Sequence, residues 1–186
     1  MTDDRPTDPT CFPPPSASNM VVRQRLLDRL TLGSRLPVTL VIAAPGSGKT
    51  QLLANWFASA EYPGPKAWVT LDGQHGGPAA FWTTVTTALA GIGVLPANAI
   101  NPRETGVAEL LGLGASLAAQ PAPIVLILDQ AECLALRALA DDLDRVLTHS
   151  AGKLRIVIGS RVNPALPHHR YRLRARVRQS GAPLRP

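Results

Sequence analysis

Cysteines, aromatic residues and long apolar runs are all scarce in this chain of 186 residues. Cys11 and Cys133 are far apart and lack metal-ligand spacing, which excludes a disulfide framework and a cysteine-based metal site. No apolar run reaches the roughly 18 residues of a membrane span, and no signal peptide is evident. With 45% hydrophobic but only 4% aromatic residues, the sequence predicts one cytoplasmic domain with an aliphatic core and no membrane partner.

Acidic residues are missing from the end of the chain. Residues 161–186 contain seven arginines and no acid, so the net charge of +6 arises there, and the remainder has 12 basic and 13 acidic residues. Between positions 170 and 178 arginine alternates with apolar or small residues, which is compatible with an edge strand or with an unstructured tail. Such a tail can contact phosphates, but it offers no base-reading groups, so specific DNA binding is not expected.

Proline marks the other end of the chain. Residues 1–19 are polar and proline-rich, with a run of three prolines, and they show neither helical nor strand periodicity. We therefore interpret residues 1–19 as a disordered leader, residues 20–170 as the folded domain, and residues 171–186 as an arginine-rich tail or edge strand.

Apolar segments between these ends alternate with helical ones. Four short runs without polar alternation predict strands buried on both faces, at Val38–Ala44, Lys66–Leu71, Pro123–Leu128 and Leu154–Gly159. Helical patterns precede and separate them, at residues 21–33, 49–60, 78–92, 104–120 and 131–149. This alternation predicts an α/β fold with a mostly parallel sheet of about five strands and helices on both faces.

A glycine-rich loop follows the first predicted strand. Residues 43–50 read AAPGSGKT, which fits the phosphate-binding pattern G-x-x-x-x-G-K-[ST] except for Ala43. Glycines let backbone N–H groups face a phosphate, and the following helix directs its positive dipole end to the same point. The predicted nucleotide-binding residues are Pro45, Gly46, Ser47, Gly48, Lys49, Thr50 and Gln51. The alternative is an ordinary glycine-rich turn with a solvated lysine.

An acid ends the third apolar run, IVLILD. In phosphate-loop folds such an acid holds Mg²⁺ together with the loop hydroxyl, which here predicts Asp129 and Thr50 as the metal residues. The alternative role for Asp129 is an N-cap of the helix that is predicted from Ala131. The loop context favours the metal role and a three-layer P-loop NTPase fold.

The candidate catalytic residues lie at the ends of the last two strands and are Asp129, Gln130, Glu132 and Arg161. Gln130 directly follows Asp129, and its amide can orient a water molecule but cannot accept a proton from it. Glu132 could replace that base, although a helix would direct it elsewhere. Arg161, after the fourth strand, is a candidate sensor of a γ-phosphate, the alternative being a surface arginine. The sequence therefore supports nucleotide binding better than turnover.

Five segments carry a family resemblance: VVRQRLLDRL, LVIAAPGSGKTQLLANW, AWVTLDGQHGGPAAFW, IVLILDQAECL and IGSRVNPALPHHRYRLRA. Over about residues 20–175 the chain resembles the ATPase domain of the MalT-like large regulators of the LuxR class, in the STAND branch of P-loop ATPases. The resemblance implies an ATP/ADP switch that controls an assembling, transcription-activating form. This chain departs from the family pattern at residues 74–77, at Asn163 and at Gln130, and we expect it to be the nucleotide domain alone.

The sequence thus predicts an ATP-binding regulatory switch domain that uses ATP or ADP with Mg²⁺ and hydrolyses ATP slowly or not at all. Its expected partners are other proteins or further copies of the chain. Two alternatives stay open, namely a P-loop ATPase or phosphotransferase and a degenerate fragment whose basic tail binds polyanions. The guanine signature N-K-x-D is absent, which favours adenine.

Overall fold

The computed structural model describes residues 9–15, 24–59, 62–71, 77–96, 99, 106–167 and 171. Within them lie the helices α1 (Gln24–Gly33), α2 (Lys49–Ala58), α3 (Pro78–Gly91), α4 (Val107–Ala118) and α5 (Arg137–His149). The strands are β1 (Val38–Ile42), β2 (Lys66–Thr70), β3 (Ile124–Asp129) and β4 (Leu154–Ser160). Two short 3₁₀ turns cover Pro9–Cys11 and Glu132–Ala135. No helix in these ranges is long and apolar enough to cross a bilayer.

The strands form one parallel sheet in the order β1-β4-β3-β2. This arrangement confirms the predicted α/β class and is consistent with a P-loop-like fold. The expectation of about five strands is wrong for the described residues, which contain four, and residues 172–178 of the proposed edge strand lie outside them. Since all strands run the same way, their carboxyl ends meet at one edge, where Thr70 is opposite Asp129 and Ile42 is opposite Ser160.

Helices cover both faces of the sheet. Alternate strand residues such as Val157 and Ile127 pack against α1 and α2, and their neighbours Ile158 and Leu126 pack in the larger core with α3, α4 and α5. The chain crosses the whole sheet from β1 to β2 in one direction. It then moves back in the opposite direction, one strand at a time, from β2 to β3 and from β3 to β4. Right-handed crossovers place the connecting helices on opposite faces when the direction reverses, which explains the three layers.

The helix predicted over residues 131–149 is shorter than expected. The chain first makes the 3₁₀ turn Glu132–Ala135, Leu136 is extended, and α5 begins only at Arg137. Contacts with the end of β4 account for the difference, because the Ala131 N–H donates to Gly159 O at 2.9 Å and Ala165 N–H donates to Leu134 O at 2.8 Å. These long-range hydrogen bonds hold residues 131–136 in a conformation that is not α-helical.

Two residues outside the predicted domain range of 20–170 contact the folded part of the chain. In the leader, Pro9–Cys11 forms a turn, and partly buried Cys11 packs against the larger core, with its thiol 3.9 Å from Thr84 O. At the other end, Tyr171 is buried in the same core, and its hydroxyl donates to the Asp144 carboxylate of α5. Both contacts join residues too distant in sequence for a local pattern to reveal.

Candidate functional site

The glycine-rich loop connects β1 to α2 at the carboxyl edge of the sheet. Gly46 and Gly48 have φ of 71° and 82°, the left-handed region that glycine adopts without strain. Gly48 precedes α2 directly, and no side chain caps this helix. The Ser47 hydroxyl is buried and has no hydrogen-bond partner within the described residues. Pro45 and Gly46 are exposed at the tip. The loop therefore has an open, donor-rich helix N-terminus, as anion binding requires.

The Lys49 side chain folds back onto this loop. Its Nζ donates to Ala43 O at 2.8 Å and to Ala44 O at 3.0 Å. Both acceptors are neutral carbonyl oxygens, whereas a phosphate oxygen would add the attraction between opposite charges. The ammonium group is thus already positioned beside the loop that would surround a phosphate. Gln51, two residues further on, donates to Pro15 O at 3.5 Å in the leader segment.

Asp129 is a buried carboxylate at the end of β3, with 1% of its surface exposed. Burial raises the pKa of this carboxyl above its usual value, and the Thr50 hydroxyl, the Gln130 backbone N–H and the Lys49 ammonium oppose the shift only in part. Neither carboxylate oxygen makes a hydrogen bond of full geometry with any described residue. A buried, unsatisfied acid is costly, and a functional role or a bound ion or water is the usual explanation for such a group.

Gly159, which the sequence analysis did not identify, makes room for this acid. It follows the β4 residue that is paired with Leu128, so it lies beside Asp129. A Cβ placed at Gly159 would be 2.9 Å from Asp129 Oδ1 and 2.7 Å from Leu53 Cδ1. A glycine inside an apolar strand is a sequence signal of close approach, and it could have indicated this contact.

Gln130 occupies a strained turn after β3. Its φ of 54° lies in the left-handed region, which costs a residue other than glycine about 1–2 kcal/mol. Its side chain is exposed, and the chain reverses there so that the next residue bonds to Gly159. Backbone strain of this kind often occurs at functional sites, and here it directly follows the buried candidate acid Asp129.

Glu132 and Arg161, two other predicted site residues, bind each other. Glu132 Oε1 accepts from the Arg161 backbone N–H at 2.9 Å and from its Nε at 3.0 Å. Burial acts to raise the Glu132 pKa, but these Arg161 contacts outweigh it and hold the pKa below its usual value. The Arg161 side chain remains 56% exposed. A carboxylate engaged in this way is a poor general base, which counts against that predicted role for Glu132.

Comparisons with known proteins give one consistent relationship. No family model matches the chain. It is 27% identical over 175 residues to the HTH-type transcriptional regulator MalT of Cronobacter sakazakii, a match that covers 91% of this chain and 19% of that protein. The MalT proteins of Yersinia enterocolitica and Yersinia pestis are 27% and 28% identical, each over 90% of this chain. The chain spans about a fifth of the length of these relatives.

This similarity confirms the relationship to MalT, a LuxR-class regulator, that the sequence motifs indicated. It runs through nearly the whole chain, so it includes the glycine-rich loop as well as the strand ends that carry Asp129 and Arg161. The similarity therefore supports a relationship between this chain and transcriptional regulators.

Proposed function

We propose that this chain is an ATP-binding regulatory switch domain related to LuxR-class transcriptional regulators. One observation carries the proposal: a glycine-rich loop between a buried parallel strand and a helix brings Lys49 and Thr50 beside the unsatisfied acid Asp129. Loop N–H groups and Lys49 would bind the phosphates of ATP or ADP.

The acid and the hydroxyl also fit a Mg²⁺ ion. Mg²⁺ prefers oxygen ligands, and it commonly uses one or two protein oxygens together with water and substrate phosphates. The buried Asp129 carboxylate lacks a hydrogen-bond partner of full geometry and has Thr50 nearby, so this pair would hold the ion. When bound, Mg²⁺ would neutralise negative charge on the nucleotide phosphates. Lys49 would bind the same phosphates from the loop side.

Nucleotide affinity measured by calorimetry tests the site. Lys49→Ala removes a charge-assisted contact and should weaken ATP and ADP binding by about tenfold to hundredfold. Lys153→Ala is the matched control, because the Lys153 Nζ also donates to a backbone carbonyl, Pro121 O at 3.1 Å, near the start of β3. Equal affinity in wild type and Lys49→Ala would refute the assignment.

Slow hydrolysis follows from the groups around Asp129. Gln130 cannot accept a proton from water, and Glu132 is held by Arg161 with a lowered pKa. Single-turnover release of labelled phosphate should therefore be far below the usual enzyme range of about 1–10³ s⁻¹. A rate of several per second that disappears in Lys49→Ala would identify a working ATPase instead of a slow switch.

We further propose that Arg161 detects the γ-phosphate of ATP by releasing Glu132 and binding the phosphate in its place. Arg161→Ala should lower ATP affinity about tenfold and leave ADP affinity unchanged. Glu132→Gln frees the guanidinium and should raise the ratio of ATP to ADP affinity about two- to fivefold, as expected for a partly exposed ion pair. Asp141→Asn, which breaks the exposed 3.7 Å pair with Arg137, is the control. An unchanged ratio in both site variants would exclude the exchange.

The two nucleotide states would then differ at the carboxyl edge of the sheet, where the 3₁₀ turn after β3 meets the segment after β4. This edge would present a different surface to protein partners or to further copies of the chain. Sedimentation of the full chain with ADP or with a non-hydrolysable ATP analogue tests this expectation. Identical association behaviour in both states would contradict self-association as the readout.

A further inference from the structure

A second concave site lies at the opposite edge of the sheet from the glycine-rich loop. This amino-edge cleft has a volume of about 420 Å³ and is lined by residues that include Thr31, Arg35, Tyr62, Gly64, Pro123 and Arg155. Pro123 directly precedes β3, Arg155 is the second residue of β4, and Arg35 follows α1. Its size falls within the range of small-molecule sites, about 300–1,000 Å³.

Two arginines give this cleft its charge. Arg155 projects from the sheet face that packs against α1 and α2, and its Nη1 makes one long contact, 3.5 Å to Ser34 O. Arg35 is exposed at the rim. Among the described residues no carboxylate lies within ion-pair distance of either guanidinium. Within the described part of the chain, most donors of both groups are therefore available to an anion.

The remaining wall of the cleft is apolar and already ordered. The Tyr62 hydroxyl donates to Pro123 O at 3.0 Å, which fixes the ring. The ring lies so close to Gly64 that a Cβ there would be 2.6 Å from Tyr62 Cε1 and 2.9 Å from Pro123 O. Behind it, the Trp56 ring centroid is 6.4 Å from that of Tyr62. A ligand would meet this wall without first ordering it, which lowers the cost of binding.

We propose that the amino-edge cleft binds a small organic anion, namely a carboxylate or a phosphate monoester carried on a compact apolar or aromatic body. The two guanidinium groups would bind the anionic group through bidentate, charge-assisted hydrogen bonds, and Tyr62 with the adjacent prolines would cover the apolar body. This site is independent of the proposed nucleotide site, because it lies at the other end of the strands and uses other residues.

Phenyl phosphate and benzoate are suitable probes, with benzyl alcohol as their neutral counterpart. Binding is measured by calorimetry on the full chain carrying Lys49→Ala, so that the phosphate loop does not capture the anions. The double variant Arg35→Gln/Arg155→Gln should lose about tenfold or more in affinity for the anions. The matched control Arg25→Gln/Arg29→Gln removes two exposed arginines of α1 outside the cleft, and it should bind as before. Thermal unfolding verifies that each variant folds.

The outcomes separate the possible ligands. Binding of either probe that is lost only in the cleft variant supports the proposal, and a preference for one probe identifies phosphate or carboxylate as the natural group. Equal binding of benzyl alcohol, equal loss in the control variant, or binding that survives Arg35→Gln/Arg155→Gln overturns it. Binding of an acidic peptide in the absence of any binding by the small probes also overturns it, in favour of a protein partner.

Discussion

Replacement of Asp129 by Asn separates the ligand-binding role of this acid from its effect on stability. The carboxylate is 1% exposed and lacks a hydrogen bond of full geometry within the described residues. Asn retains the shape of the side chain, removes its charge and replaces one acceptor oxygen with an NH₂ donor. We expect Asp129→Asn to make the ligand-free protein more stable and to abolish the dependence of nucleotide binding on Mg²⁺.

The size of the stability gain follows from this burial. A buried polar group without a partner costs about 1–3 kcal/mol, and a charged group costs more. Thr50 and Lys49 already offset part of the cost, and Asn still leaves polar atoms buried. We therefore expect the free energy of unfolding to rise by about 1–2 kcal/mol, which for a chain of this size raises Tm by about 2–8 °C.

The gain should also depend on pH in a defined direction. The folded-state pKa of Asp129 is raised above its unfolded value, so the fold loses stability as the pH rises from the unfolded pKa through the raised one, and the full penalty of the buried charge is present above the raised pKa. Below the unfolded pKa of about 3.9 the carboxyl is neutral in both states, and wild type and variant should be alike. The advantage of the variant should thus be full above the raised folded-state pKa and should shrink as the pH falls from there toward the unfolded pKa.

Thermal unfolding followed by circular dichroism, without nucleotide and across this pH range, measures the effect. Asp141→Asn serves as the control, because it removes the same charge from an exposed position on α5. A lower Tm in Asp129→Asn at neutral pH, or a gain that does not vary with pH, would refute the reasoning. Retained Mg²⁺ dependence of ATP binding in this variant would refute the metal role.

Two further substitutions probe contacts that were not expected from the sequence. Gly159→Ala places a Cβ 2.9 Å from Asp129 Oδ1 and should destabilise the fold by about 1–3 kcal/mol. Its control is Gly112→Ala, on an exposed face of α4, where a Cβ would have no atom within 4 Å. This control should leave the stability unchanged or raise it by up to about 1 kcal/mol. Tyr171→Phe removes the hydrogen bond to Asp144 and should lower the free energy of unfolding, measured by urea titration, by about 1 kcal/mol. An unchanged free energy of unfolding would show that this bond does not stabilise the fold and that residue 171 belongs to the tail.

Local patterns in the sequence predicted the four strands, most of the helical segments and the position of the glycine-rich loop. The four apolar runs lack alternation because a parallel sheet is buried on both faces, and each predicted run became a strand. The loop is identifiable because its glycines, lysine and threonine are consecutive residues between a strand and a helix. Asp129 was predicted at a strand end for the same reason, and any parallel sheet brings that end to the edge where the loop lies.

Only the tertiary structure decided which residues face one another at that edge. The pairing of Glu132 with Arg161 joins residues 29 positions apart, and it depends on β3 and β4 being neighbours in the sheet. That pairing is the reason why we propose that Glu132 does not act as a general base. Strand order and register are set by the packing of the whole core, whereas a local sequence pattern indicates only which face of its own element is buried. The room for Asp129 beside Gly159 arises from the same register.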